Sequence, residues 1–106
     1  MDLKSINKEL KNYLAREWLN KNSENINYRL RAPDSIDKKK KYPLLVYFHG
    51  SGGRGNDNMS QLTDAGAIGA FFDQQISKNH CSFILAAQVP ENEKWVNVPW
   101  ENLSHK

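Results

Sequence analysis

The capacity for chemistry in this sequence is concentrated where a histidine meets a run of glycines, His49-Gly50-Ser51-Gly52-Gly53-Arg54-Gly55. Glycine lets the backbone adopt angles that a side chain forbids, so backbone N–H groups can approach a ligand closely. Three chemistries use such a turn after a buried strand. A phosphate loop ending in Gly-Lys-Ser/Thr is excluded, because no lysine and hydroxyl pair closes the run. A dinucleotide fingerprint G-x-G-x-x-G is present as Gly50, Gly52 and Gly55. That fingerprint needs a helix opening directly after the last glycine and an acid at the end of the next strand. Here Asn56-Asp57-Asn58 intervenes, and the next apolar strand ends at Gln88. The third chemistry is an oxyanion hole, in which His-Gly and small residues let backbone N–H groups reach the negative oxygen of a tetrahedral intermediate. His49-Gly50-Ser51-Gly52-Gly53 has that form.

The other reactive side chains read more simply. No carboxylate or hydroxyl partner is placed beside His49, so its expected work is local hydrogen bonding that shapes the loop. His80 and Cys81 are adjacent, and in a strand adjacent side chains point to opposite faces. His105 lies one residue from the last position given. Asp57 is expected as the acid at a helix N-terminus and Asp64 as a surface charge. Arg54 can either hold a substrate carboxylate or brace the loop, and the sequence leaves both open.

The elements that must position the glycine run are legible around it. Tyr42-Pro43-Leu44-Leu45-Val46-Tyr47-Phe48 is a continuous apolar run and predicts a strand covered on both faces. Met59, Leu62, Ile68, Phe71, Phe72 and Ile76 have helical spacing, with a break expected near Gly66 and Gly69. Cys81 to Ala87 repeats the buried-strand pattern, so strand, glycine loop, helix and strand form a βαβ unit. Upstream, Leu3, Ile6, Leu10, Tyr13, Leu14 and Trp18 predict an amphipathic helix over 3–19. Ile26, Tyr28 and Leu30 alternate with polar residues and predict a half-buried strand. Gln88 onward reads as a loop carrying Trp95 and Trp100, rising on the same rim of the sheet as the glycine run. The two tryptophans are candidates for a substrate pocket, the alternative being hydrophobic caps over the sheet end.

Composition bounds the rest. The 106 residues carry 15 Lys+Arg against 12 Asp+Glu, for a net charge of +3, and one cysteine. Four of the cations form the run Lys38 to Lys41, expected as a solvated loop rather than a nucleic-acid groove. A single Cys81 forms no internal disulfide, and no Cys/His cluster has metal-ligand spacing, so neither a metal nor a cofactor is expected. No apolar stretch approaches the roughly 18 to 20 residues of a membrane helix, and Met1 to Leu10 lacks a secretory core. The expected compartment is therefore the cytoplasm.

Between about Tyr28 and Trp100 the sequence resembles the phospholipase/carboxylesterase-like branch of the α/β-hydrolases, which includes predicted peptidases and polyhydroxybutyrate-depolymerase-like esterases. The resemblance rests on Tyr28-Arg29-Leu30 with Pro33, Lys41 to Val46 entering His49-Gly50-Ser51-Gly52, then Arg54-Gly55-Asn56-Asp57-Asn58 with Gln61-Leu62, and Leu85-Ala86-Ala87-Gln88-Val89-Pro90 before Trp95-Val96. Ala87 stands where the family usually has proline. The resemblance implies the N-terminal part of an α/β-hydrolase sheet: an N-terminal helix and linker over 1–25, then a partial domain over 26–106 with about three strands and one crossover. It also implies the backbone N–H groups of Ser51 and Gly52 as oxyanion donors, within a loop shaped by His49, Gly50, Gly53, Arg54 and Gly55. The family takes its nucleophile from a later G-x-S-x-G elbow, then an acid, then a histidine, and this sequence contains none of the three. Ser51 is on the first loop and is not the nucleophile. The expectation is an N-terminal fragment of a serine hydrolase acting on an ester or peptide once completed, silent alone, with open sheet edges that invite association. The alternatives are a non-catalytic remnant that depends on a partner, and a dinucleotide-binding βαβ unit.

Overall fold

The computed structural model describes residues 2–22, 24–77 and 81–95. Helix α1 (Leu3–Leu10) starts at Asp2, whose carboxylate accepts the Ser5 N–H at 2.8 Å and so satisfies one of the orphan donors of the first turn. The helix expected to run on to residue 19 stops at Leu10. Asn12 folds back on Glu9 through both its N–H and its side-chain amide, and Tyr13–Leu19 becomes strand β1. The physical reason lies in spacing. Leu14 and Trp18, four apart, share a face in a helix and in a strand alike. A seven-residue antiparallel ladder with β2 (Asn25–Arg31), from Tyr13 opposite Arg31 to Leu19 opposite Asn25, decides between the two. β1 and β2 thus form a hairpin, and at its turn the Asn20 side chain accepts from the N–H groups of Asn22 and Glu24.

Strand β3 (Leu44–Phe48) leads into the glycine run, and β4 (Phe83–Gln88) returns parallel to it, from Leu44 opposite Phe83 to Phe48 opposite Ala87. Between them lie a 3-10 turn at Ser51–Gly53, the short helix α2 (Ser60–Thr63), a second 3-10 turn at Asp64–Gly66, and α3 (Ala67–Ser77). The break in the helical segment falls at Ala65 and Gly66, both with positive φ, while Gly69 sits inside α3. The sheet order is β1-β2-β4-β3, four strands rather than about three, with β2 antiparallel to β4.

Alternation along these strands sorts the sheet into two unlike faces. Tyr13, Ile84 and Ala86 point toward α1, α2 and α3 and form the core with Leu62 and Ile68, with Leu45, Tyr47 and Phe71 packed at its margin. The opposite face is open. Leu44, Val46 and Phe48 are 57%, 44% and 63% exposed, so β3 is covered on one face, not on the two that its apolar run predicts. β3 is an edge strand here, and no described element packs over that side.

At the end of the sheet away from the glycine run, Arg31 and Glu9 form an ion pair at 2.7 Å with side chains 3% and 4% exposed. The Arg31 guanidinium also donates to Ala32 O and to Asp34. Nearby, the Tyr13 hydroxyl is buried with no hydrogen-bond partner among the described residues. Burial, together with the Glu9 charge, raises its pKa above the usual tyrosine value. Tyr13→Phe removes a buried orphan while keeping the packing, so it is expected to leave stability unchanged or to add up to about 1 kcal/mol in urea unfolding. A loss above that size would mean that the hydroxyl has a partner in solution.

Candidate functional site: the glycine loop at the sheet rim

The loop after β3 is assembled from short hydrogen bonds that leave particular groups free. Gly50 has extended backbone (φ −80, ψ −170) and its carbonyl accepts the Gly53 N–H at 3.1 Å, closing the 3-10 turn Ser51–Gly53. The Arg54 N–H reaches Ser51 O at 3.4 Å, and the Arg54 side chain donates to the same oxygen at 3.1 Å. Both bonds tie Arg54 to the turn. The N–H groups of Ser51 and Gly52 open the turn, where no earlier carbonyl of the turn can accept them. Both residues are exposed on the rim. They are two adjacent backbone donors on exposed residues at the carboxyl end of β3.

His49 fixes the base of the loop. Its ring is buried, its Nδ1 faces Gly50 O, and its Nε2 accepts the Val89 N–H at 3.1 Å. An accepting Nε2 places the proton on Nδ1, which donates to Gly50 O. Both nitrogens are committed, so His49 is not available as a base to Ser51. The Trp95 indole N–H donates to His49 O at 2.8 Å, and its ring stands 4.8 Å from the imidazole and edge-on to Phe48 at 5.0 Å. Trp95 and the glycine loop do share one rim. The space they enclose with Arg54 and Val89 is only about 20 Å³, room for a single water and not for a substrate group. A larger cleft of about 360 Å³ lies against Trp95 on the hairpin side, lined by Asn20, Ile26, Gln88 and Pro90, and does not include Ser51 or Gly52. Trp100, the second pocket candidate, lies outside the described residues, as do His80 and His105.

Two glycines are dictated by close approach. A Cβ on Gly53 would fall 2.5 Å from Cγ of the buried His49 ring, whereas one on Gly50 would meet nothing within 4 Å. Gly53→Ala is therefore expected to cost about 1–3 kcal/mol in urea unfolding and Gly50→Ala under about 0.5 kcal/mol. Equal costs would refute this packing. At Gly52 the neighbour is the Asp64 carboxylate, which lies against the loop rather than standing as a free surface charge.

A buried amide network that sequence reasoning missed ties the loop to the sheet. The Gln88 amide donates to Gly53 O at 2.9 Å and to Asp57 Oδ1 at 2.8 Å, while its oxygen accepts the Asn58 N–H at 2.7 Å. Asn58, at φ 52, donates to Tyr28 O at 3.0 Å and accepts from Gln61 at 2.6 Å. Gly55, at φ 143, holds Val89 O at 3.0 Å. The available signal was a polar Gln88 ending an apolar strand, together with Asn58 and Gln61 flanking the loop. With Gln88 occupied in this way, and α2 starting only at Ser60, neither structural condition of the dinucleotide fingerprint is met.

Asp57 carries the charge of this network. Burial raises its pKa, but the hydroxyl and N–H of Ser60, the Gln88 amide and the Met59 N–H lower it by more, so it lies well below its ordinary 3.8. A depressed folded pKa means that the ionised form stabilises the fold in full above about pH 4 and loses that contribution as pH falls toward the folded value. The urea midpoint is expected to drop between about pH 4 and pH 2, with a smaller drop in Asp57→Asn. An identical pH profile for the two proteins would contradict it.

Among the described residues no group of three or more His, Cys, Asp or Glu side chains is placed to hold a metal ion, and no helix is long and apolar enough to cross a membrane. No protein-family model and no curated protein matches the sequence. Among solved structures, a thermostable esterase matches at 37% identity and a TM-score of 0.70, over 82% of this chain and 24% of that one. The fold is thus that of an esterase-like α/β-hydrolase in part, and the chain spans about a quarter of that esterase's length.

Proposed function

We propose that this chain carries the oxyanion-stabilising loop of an esterase-type serine hydrolase of the carboxylesterase/phospholipase-like branch, with the N–H groups of Ser51 and Gly52 as donors. The observation that carries this reading is the pair of adjacent N–H groups opening the 3-10 turn at the rim, exposed and without an acceptor in the turn. When a nucleophile adds to an ester carbonyl, the oxygen becomes negative. Donors already aimed at it stabilise that state without reorganising, each worth about 2.7–4 kcal/mol of barrier. His49, Gln88 and Arg54 hold the loop so that the donors need not be ordered during the reaction. The esterase likeness supports a carboxylic ester over a peptide as substrate.

The nucleophile, acid and base of this reaction lie in none of the residues described. His49 is not a base for Ser51 Oγ, since both of its nitrogens are committed. The chain alone is therefore silent. Substituting it for the matched quarter of the thermostable esterase should give a protein that hydrolyses p-nitrophenyl acetate and is labelled by a fluorophosphonate, whereas the 106-residue chain does neither. Labelling of the isolated chain that disappears in Ser51→Ala would overturn the assignment and make Ser51 the nucleophile.

A further inference from the structure

Asp64 reaches the glycine loop through a strained turn. It opens the 3-10 turn Asp64–Gly66, in which Ala65 (φ 55) and Gly66 (φ 69) both take left-handed backbone. Gly66 does so freely, whereas the Cβ of Ala65 is crowded in this region, and such strain persists only where the surroundings hold it. The loop makes room for what the turn delivers. Gly52 has no positive φ, so the backbone does not demand a glycine there, yet a Cβ would fall 2.5 and 2.8 Å from the two Asp64 carboxylate oxygens. A strained alanine and an open glycine thus serve one contact, a carboxylate set against the loop beside the Gly52 N–H.

That carboxylate is half-buried and makes no hydrogen bond or ion pair with a described residue. Arg54, braced on the same loop, gives its Nε to Ser51 O and not to Asp64. From the covalent geometry of a residue, the nearer carboxylate oxygen is no more than about 5 Å from the Gly52 nitrogen. An oxygen accepting from that N–H sits about 2.9 Å from the same nitrogen. A negative charge developing there meets a like charge close by, which disfavours it. An ester with an ammonium on the carbon next to its carbonyl removes the conflict, because the cation pairs with the carboxylate while the carbonyl oxygen takes the N–H groups. A neutral acyl group leaves the repulsion in place, and an acidic one adds to it.

We infer that Asp64 is a specificity-determining residue of this loop, and that the acyl groups it selects carry a positive charge beside the carbonyl, as in α-amino acid esters. The inference rests on the oxyanion reading of Ser51 and Gly52 given above. At a separation of about 4 Å, even the dielectric of bulk water leaves enough attraction between ammonium and carboxylate to favour the charged ester about fivefold, and a site that excludes water favours it more.

The test uses the esterase that carries this chain in place of its own matched segment, with three ethyl esters of similar shape. L-alanine ethyl ester, ethyl isobutyrate and monoethyl methylmalonate have acyl groups that are cationic, neutral and anionic at about pH 6, where an α-amino group is protonated. Their intrinsic reactivities differ, so the readout is the change in each kcat/KM when Asp64 becomes Asn. Expected is a loss of about fivefold or more for the alanine ester, a change within about threefold for ethyl isobutyrate, and a gain for the methylmalonate ester. Asp64→Ser takes over if circular dichroism shows that Asp64→Asn does not fold. Equal changes for all three esters overturn the inference, and the oxyanion reading survives that result if Ser51→Pro still slows ethyl isobutyrate. If Ser51→Pro slows none of them, the oxyanion reading falls and takes the inference with it. Should the hybrid be inactive, NMR titration of the 106-residue chain with L-alanine ethyl ester decides. A shift of the Gly52 N–H resonance that Asp64→Asn abolishes supports the inference, and its absence overturns it.

Discussion

Glu9→Ala is expected to cost about 3–5 kcal/mol, enough to unfold much of a domain whose total stability is about 5–15 kcal/mol. Glu9 accepts from Arg31 Nε at 2.7 Å and from its terminal nitrogen at 3.1 Å, and both side chains are almost wholly buried. Removing the carboxylate leaves a guanidinium out of water with only Ala32 O and the exposed Asp34 to hold it. The loss is the desolvation of an unpaired charge, not the net worth of the pair. A double variant, Glu9→Met with Arg31→Met, should therefore cost much less than the single one. Urea unfolding of the three proteins decides it. A single variant within about 1 kcal/mol of the parent would show that water reaches Arg31 in solution.

That ion pair was invisible in the sequence because Glu9 reads as one more polar residue of an amphipathic helix, and Arg31 as the polar phase of an alternating strand. Only the fold brings residues 22 apart together at the sheet's far end. The same limit explains β1. Leu14 and Trp18 satisfy both periodicities, so local pattern favours a longer helix, and the choice is made by pairing with β2, a contact between segments.

What was legible is the part whose signal is local and redundant. The apolar run into β3, the glycines after it and the second apolar run at β4 are all confined to short segments, and together they imply the parallel pair and the loop between. For His49 the sequence places no carboxylate or hydroxyl partner, and its ring nitrogens are engaged with Gly50 O and the Val89 N–H. The Gln88, Asn58 and Gln61 network was not legible in the same way. Polar side chains near a loop look solvated until a buried face is known to receive them, and their partners are carbonyls of Tyr28, Gly53 and Ala86. Nor does sequence show that one face of β3 is bare, since a continuous apolar run reports what a strand is suited to touch rather than what covers it.

In the function proposed here the Ser51 and Gly52 N–H groups, and not a side chain, do the chemistry of this loop. Proline at 51 tests it directly. The first position of a turn tolerates proline, and Gly50 is extended as a residue before proline must be, so Ser51→Pro removes one donor with little change of shape. In the esterase that carries this chain in place of its own matched segment, Ser51→Pro should lower kcat for p-nitrophenyl acetate by about 10²–10³ with KM nearly unchanged, while Ser51→Ala, which keeps the N–H, stays within about threefold of the parent. Equal activity of Ser51→Pro and its parent, or a loss in Ser51→Ala as deep as that in Ser51→Pro, would contradict the account.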